Sequence, residues 1–96
     1  MIEIVRSPLA ENDLLDIWQY SYNKWGANKA GEYLLQLDSG MQGLANNPLL
    51  GKPREIVRPN YRSIQINRHV IYYKYQRDVI DIIRVLHERM IPDKHL

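Results

Sequence analysis

Between Val79 and Leu86 the chain sets Val, Ile, Ile, Ile, Val and Leu, interrupted only by Asp81 and Arg84. So dense a run puts apolar side chains on both sides of an extended backbone, which predicts a central strand covered on both faces. The rest of the chain has to supply those covers. His87, Glu88 and Arg89 follow directly, then Met90, Ile91 and Pro92. Proline cannot donate to a ladder, so strand pairing should stop before it. Polar chemistry is expected to gather at this exit.

With 96 residues, there is material for one small domain with a single two-layer core, taken as residues 1–96. Ile2 to Arg6 alternates well enough for a short strand. Ser7 and Pro8 then supply a capping hydroxyl and a proline at the first helical position, so a helix should start there. Ala10, Leu14, Ile17, Trp18, Ser21 and Trp25 recur at helical spacing as its core stripe, and Asn12, Asp13, Asp16, Gln19 and Asn23 fall opposite. Gly26 is the expected stop. A second helix should follow, capped by Asn28, with Ala30, Tyr33, Leu34, Leu37, Met41, Leu44 and Ala45 as its stripe, up to Asn46-Asn47-Pro48. Gly31, Gly40 and Gly43 each cost about 1 kcal/mol against alanine inside a helix, so they are read as points of close packing against the partner helix or as a loosened last turn.

Residues 46 to 60 hold three prolines, one glycine and the cations Lys52, Arg54 and Arg58, a loop long enough to invite function. Three strands are then predicted, over residues 61–66, 69–75 and 79–86, joined by turns at Asn67-Arg68 and Gln76-Arg77-Asp78. The expected fold is α+β, in the order β-α-α-β-β-β, with a helical hairpin on one face of a mainly antiparallel sheet. The other face should be open, with the basic residues on it or at its rim.

Charge sharpens this picture. Residues 1–51 carry three basic against six acidic side chains, and residues 52–96 carry ten against five. A basic half calls for an acidic partner surface, either nucleic acid or protein, although a solvated mixed-charge sheet has the same composition. Several chemistries drop out. The chain has no cysteine, which removes disulfides and thiolate catalysis. His69, His87 and His95 lack metal-ligand spacing, so no metal or cofactor is expected. The serines have no nucleophile elbow. No apolar run approaches the roughly 18 residues of a membrane span, and a cytoplasmic protein is the expectation.

Two sets of residues remain. Arg62, Arg84, His87 and Arg89 are expected to converge at one end of the sheet, each with a structural ion pair as its plain alternative. Leu15, Tyr22 and Leu35 stand off the core stripes of the two helices. They read either as single exposed apolar residues or as a groove for a partner.

The ordered set Asp13-Leu14-x-x-Ile17-x-x-Tyr20, Trp25-Gly26, Ala30-x-x-Tyr33, Leu44-Ala45-x-x-Pro48-x-x-Gly51, Tyr61-Arg62, His69-x-Ile71-x-Tyr73 and Ile82-Ile83-Arg84-Val85-Leu86-His87-Glu88-Arg89-Met90, with a closing His95-Leu96, resembles the ParE-type toxins of the RelE/ParE superfamily. The resemblance covers nearly the whole chain. It implies a toxin of a type II toxin–antitoxin system of the kind linked to plasmid stabilisation, neutralised by a cognate ParD-like antitoxin that wraps the hairpin and sheet, as a hetero-oligomer. The implied target is DNA gyrase, inhibited by protein contact without catalytic turnover. Arg62, Arg84, His87, Arg89 and His95 would then bind the target, and Leu15, Tyr22 and Leu35 the antitoxin. RelE relatives share the fold but cleave mRNA on the ribosome. Under that alternative Glu55 or His87 would move the proton of the 2′-hydroxyl and Arg62 would steady the phosphate. The tail Asp93-Lys94-His95-Leu96 lacks the tyrosine that many such nucleases carry there. A non-toxic binding protein of the same fold is a third reading.

Overall fold

The computed structural model describes all residues, 1–96. In chain order the elements are β1 (Glu3–Arg6), α1 (Pro8–Trp25), α2 (Ala27–Gly43), β2 (Lys52–Pro53), β3 (Tyr61–Ile66), β4 (His69–Gln76), β5 (Val79–His87) and a short 3-10 turn (Pro92–Lys94). The five strands make one mixed sheet in the order β1-β5-β4-β3-β2. β1 runs parallel to β5, and every other pair is antiparallel. The α+β arrangement with a helical hairpin on one face is as expected from sequence, with the two-residue β2 added at one edge. The apolar run in β5 is interior, but β4 is the strand at the centre of the sheet.

Local chemistry sets the element ends. Ser7 Oγ accepts the Ala10 N–H at 3.0 Å and caps α1, with Pro8 opening the helix. Gly26, at φ +90°, ends α1 in a conformation that side chains avoid, and it also serves as the N-cap of α2, so Asn28 lies inside the second helix and does not cap it. The β4–β5 turn is built on Arg77 and Asp78, both in the left-handed region, a backbone that matches the twist of a tight hairpin.

The main core joins Ala10, Leu14 and Ile17 of α1 with Leu37, Met41 and Leu44, and lays them on Ile71, Tyr73, Ile80, Ile82 and Val85 of the sheet. Two residues of the expected α1 stripe are not buried. Trp18 is 37% and Trp25 50% exposed, while Ser21 is buried at 2%. The glycines of α2 do not serve a helix–helix contact either. A Cβ on Gly40 would meet the Ile66 side chain of β3, whereas Gly31 and Gly43 face open space. A close approach does occur at Gly51, where a Cβ would lie 2.7 Å from the Tyr73 ring. There the buried Tyr73 hydroxyl donates to Pro48 O at 2.7 Å and accepts from Gly51 N at 2.9 Å, which anchors the loop before β2 to the core.

The outer face of the sheet is not wholly open. Val70, Tyr72 and Leu86 form a second cluster there, and Leu96 packs on it. The chain after β5 therefore turns back across the sheet, tied by bonds from Arg84 to His95 O and from Arg58 to Leu96 O. No helix is long and apolar enough to cross a membrane.

Candidate functional site

The geometry of the β5 exit begins with a bulge. Tyr73 pairs with Ile82 and Tyr72 with Arg84, so Ile83 has no partner. Folding β5 back on β4 without that irregularity would set Arg84 opposite Ile71, on the helix side. The extra residue instead turns Val85 into the main core and puts Arg84 opposite Tyr72. It also slides the end of the strand by one, so that His87 lies opposite His69.

Arg84 is consequently bound. β1 ends at the level of Ile82, and beyond it α1 takes over the edge of β5. Ser7 Oγ donates to Ile83 O at 2.7 Å, and the Asp13 carboxylate accepts the Val85 N–H at 2.9 Å. The same carboxylate accepts two parallel bonds from the Arg84 guanidinium, Nε and Nη2, both at 2.8 Å. The pair is nearly buried, with 16% and 12% of its side chains exposed. This hydrogen bonding raises the Arg84 pKa above its ordinary value. Asp13 thus belongs to the frame of the molecule and is not one of the solvated carboxylates of the first helix.

His87 sits half-buried at the exit, and its Nδ1 accepts the Arg89 N–H at 3.2 Å, leaving Nε2 as the ring nitrogen outside that bond. The His87 and His69 rings meet edge to face at 5.4 Å. Tyr33 Oη lies 2.6 Å from His69 Nδ1 and accepts the Arg68 N–H at 3.3 Å, so its own proton points to the imidazole. Burial, and then the neighbouring His87, push His69 down to about 4, so it is neutral at neutral pH. In the unfolded chain the same imidazole takes a proton near pH 6.5. Its contribution to stability is therefore complete above about pH 6.5 and is lost as the pH falls towards about 4. Between about pH 7 and about pH 4.5 the melting temperature of the native protein should drop further than that of His69→Gln, and equal drops would remove this assignment.

Around these rings lies a cleft of about 650 Å3, bounded by α1, Tyr33 of α2 and the exit of β5. Tyr20, Lys24, Trp25, Arg68, Arg89 and Met90 line it together with the two imidazoles. Arg68 is engaged by Glu88 at 3.3 Å, whereas Arg89 and Lys24 have no carboxylate partner. Of the residues expected at the exit, His87 and Arg89 share this cleft. Arg84 and His95 lie beside each other behind it, through the Arg84 bond to His95 O.

Arg62 does not join them. It pairs with Tyr73 in the sheet and donates to Gly51 O at 2.7 Å and Leu49 O at 3.3 Å, towards the opposite end of β4 from His69 and His87. Four residues of strand separate the two levels, roughly 13 Å. Glu55 is beside Arg62, where it accepts the Asn60 N–H at 2.9 Å. The trio Glu55, Arg62 and His87 is therefore not assembled, and of the four residues expected to converge only His87 and Arg89 share the cleft, with Arg84 tied to Asp13 behind it. Sequence reading missed Tyr33, His69 and Lys24. The one available signal was the hairpin register, which the bulge shifts by a residue.

On the outer side of the hairpin, Leu15, Tyr22 and Leu35 are 65%, 49% and 67% exposed. Trp18 joins them, with its ring 5.9 Å from that of Tyr22. Leu15, Trp18 and Tyr22 stand at i, i+3 and i+7, so one face of α1 presents an uncovered apolar stripe.

Comparison with known proteins places this architecture. The family described as ParE toxin of type II toxin-antitoxin system, parDE, matches residues 4–92. Toxin ParE1 of Mycobacterium tuberculosis (strain CDC 1551 / Oshkosh) is 36% identical over 91 residues, covering 94% of this chain and 93% of that protein. Toxin ParE1 of Caulobacter vibrioides is 39% identical over 87 residues, covering 91% and 90%. Among solved structures, the chromosomal ParDE TA system from P. aeruginosa superposes with a TM-score of 0.80 at 18% identity, over 91% of this chain and 96% of that one. The YoeB-YefM complex from Staphylococcus aureus has the same fold at a TM-score of 0.61 and 19% identity, over 91% and 97%. With its hairpin, its five-stranded sheet and almost its full length accounted for, this chain belongs to the ParE toxin family of type II toxin–antitoxin systems.

Proposed function

We propose that the protein inhibits DNA gyrase by direct contact through the basic exit of β5, and that a cognate antitoxin neutralises it by seating a helix on the hairpin. The observation that carries the first half is the state of Arg89. It is exposed and without a carboxylate partner, in the turn just beyond β5, where its N–H is held by His87 Nδ1 and the Met90 N–H by His87 O. A charge carried on a hydrogen-bonded turn and left unpaired is suited to an acidic partner surface. Contact is favoured over turnover because Glu55 and Arg62 lie towards the other end of the sheet from His87. The family membership supports a toxin role, and gyrase is the target implied by resemblance to ParE.

Expression without antitoxin should stall DNA synthesis and induce the DNA-damage response before protein synthesis falls. Immediate arrest of translation, with mRNA cut in the ribosomal A site, would overturn this reading in favour of the nuclease.

For the antitoxin, an amphipathic helix reads a groove through anchors at i, i+3 or i+4, and i+7. Leu15, Trp18 and Tyr22 offer the matching receiver, with Leu35 on the neighbouring helix. Burying a large apolar side chain contributes about 1.5–3 kcal/mol, so Leu35→Glu should weaken the complex by about tenfold or more and leave the toxin folded. Unchanged affinity by calorimetry would take Leu35 out of the interface.

A further inference from the structure

The cleft at the β5 exit shares His87 and Arg89 with the proposed target contact, and adds to them chemistry that neither target docking nor the hairpin groove requires. One wall is aromatic. Tyr20 and Trp25 meet edge to face at 6.2 Å and remain 60% and 50% exposed, although the core side of α1 is already filled by Ala10, Leu14, Ile17 and Ser21. Lys24 is held between these rings, with its ammonium 5.5 Å and 5.2 Å from the two centroids and donating to Tyr20 Oη at 3.3 Å. This contact holds an otherwise flexible cation beside two partly exposed aromatic rings. Arg89 supplies a second cation without a carboxylate partner among the lining residues, and Asp16 is the one acidic side chain there. The floor is made of imidazoles, which donate and accept hydrogen bonds without demanding a charge.

Size decides the kind of occupant. The cleft's volume of about 650 Å3 lies in the range of small-molecule sites. The fitting ligand is flat and aromatic at one end, anionic at the other, and of mononucleotide size.

We propose that this cleft binds a single nucleotide, with its base against Tyr20 and Trp25 and its phosphate held by Lys24 and Arg89. Stacking on an aromatic platform beside cations is the general means of holding an unpaired base. Both a free nucleotide and a nucleotide within a single strand present this chemistry. The site stands independently of whether gyrase is the target.

The test uses the full chain carrying Trp18→Phe, so that Trp25 is its only tryptophan and its fluorescence reports the cleft. Adenosine monophosphate should quench it saturably. Because charge-assisted contacts are removed, affinity should fall by about tenfold or more in Lys24→Ala and in Arg89→Ala, with melting temperature unchanged. Adenosine alone and inorganic phosphate alone should each bind at least about tenfold more weakly, since each keeps only half of the contacts. Hexa-adenylate binding much more tightly than the mononucleotide assigns the site to a single strand, and equal affinity assigns it to the free nucleotide. The proposal is overturned if neither ligand saturates at millimolar concentration, or if both substitutions leave affinity intact. It is also overturned if the acidic peptide Glu-Glu-Phe-Glu-Glu binds more tightly than either nucleotide, because the cleft then takes an acidic polypeptide.

Discussion

Asp13→Ala should destabilise the protein by about 3 kcal/mol, which for a domain of this size lowers the melting temperature by roughly 12–24 °C. One carboxylate does two jobs. It accepts both guanidinium bonds of Arg84 and the Val85 N–H, at a point where β1 has ended and no strand is available to pair the edge of β5. Alanine would strand a nearly buried guanidinium and an unpaired backbone donor together. Removing one partner of such a pair costs far more than the pair contributes, because the remaining charge has lost its solvent as well as its counterion. Asp13→Asn keeps an acceptor for Val85 and should cost less. A double-mutant cycle with Arg84→Met isolates the ion pair: the two substitutions should be clearly non-additive, by about 1 kcal/mol or more. Additive effects, or a loss below about 1 kcal/mol for Asp13→Ala, would show that the edge of β5 does not depend on this contact.

That dependence explains why Arg84 reads so differently in sequence and in structure. Regular alternation after Ile80 and Ile82 points residue 84 into the core, and no pattern in the letters says that Ile83 is the extra residue. A bulge is a matter of pairing between strands, here β4 with β5, and only the assembled sheet reveals it. The elements themselves were legible, because Ser7-Pro8, Gly26 and the Arg77-Asp78 turn carry their own backbone chemistry. Trp18 and Trp25 were misplaced for a different reason. Helical periodicity gives a face about 100° wide or more, but it does not say where on its flank the neighbouring element stops covering it. The site was legible in part. The exit residues His87 and Arg89 are two apart in the chain and had to lie close together, whereas Arg62 depended on the sense of a meander that carries it away. For His69 the sequence poses only the question of metal-ligand spacing, which it fails. Its neutral state comes from burial and from a neighbour that the hairpin register supplies.

Arg89→Glu should abolish growth inhibition while leaving the fold and the antitoxin complex intact. The side chain is exposed and follows the last paired residue of β5, so exchange there should move stability by no more than about 0.5 kcal/mol. Reversing its sign replaces attraction to an acidic surface by repulsion, and like charges brought together across an interface cost several kcal/mol. Lys52→Glu makes the same change in net charge on β2, at the far edge of the sheet, and should leave toxicity in place. That contrast separates a local contact from a general loss of positive field. The antitoxin is expected on the other side, along Leu15, Trp18, Tyr22 and Leu35, so its affinity should be unchanged within about twofold. His87→Gln gives the remaining distinction: under docking it weakens inhibition in proportion to binding, and under RNA cleavage it removes activity while ribosome binding survives. If Arg89→Glu and His87→Gln both inhibit growth as the unmodified protein does, in stably folded form, the exit of β5 is a structural end and the target contacts lie elsewhere.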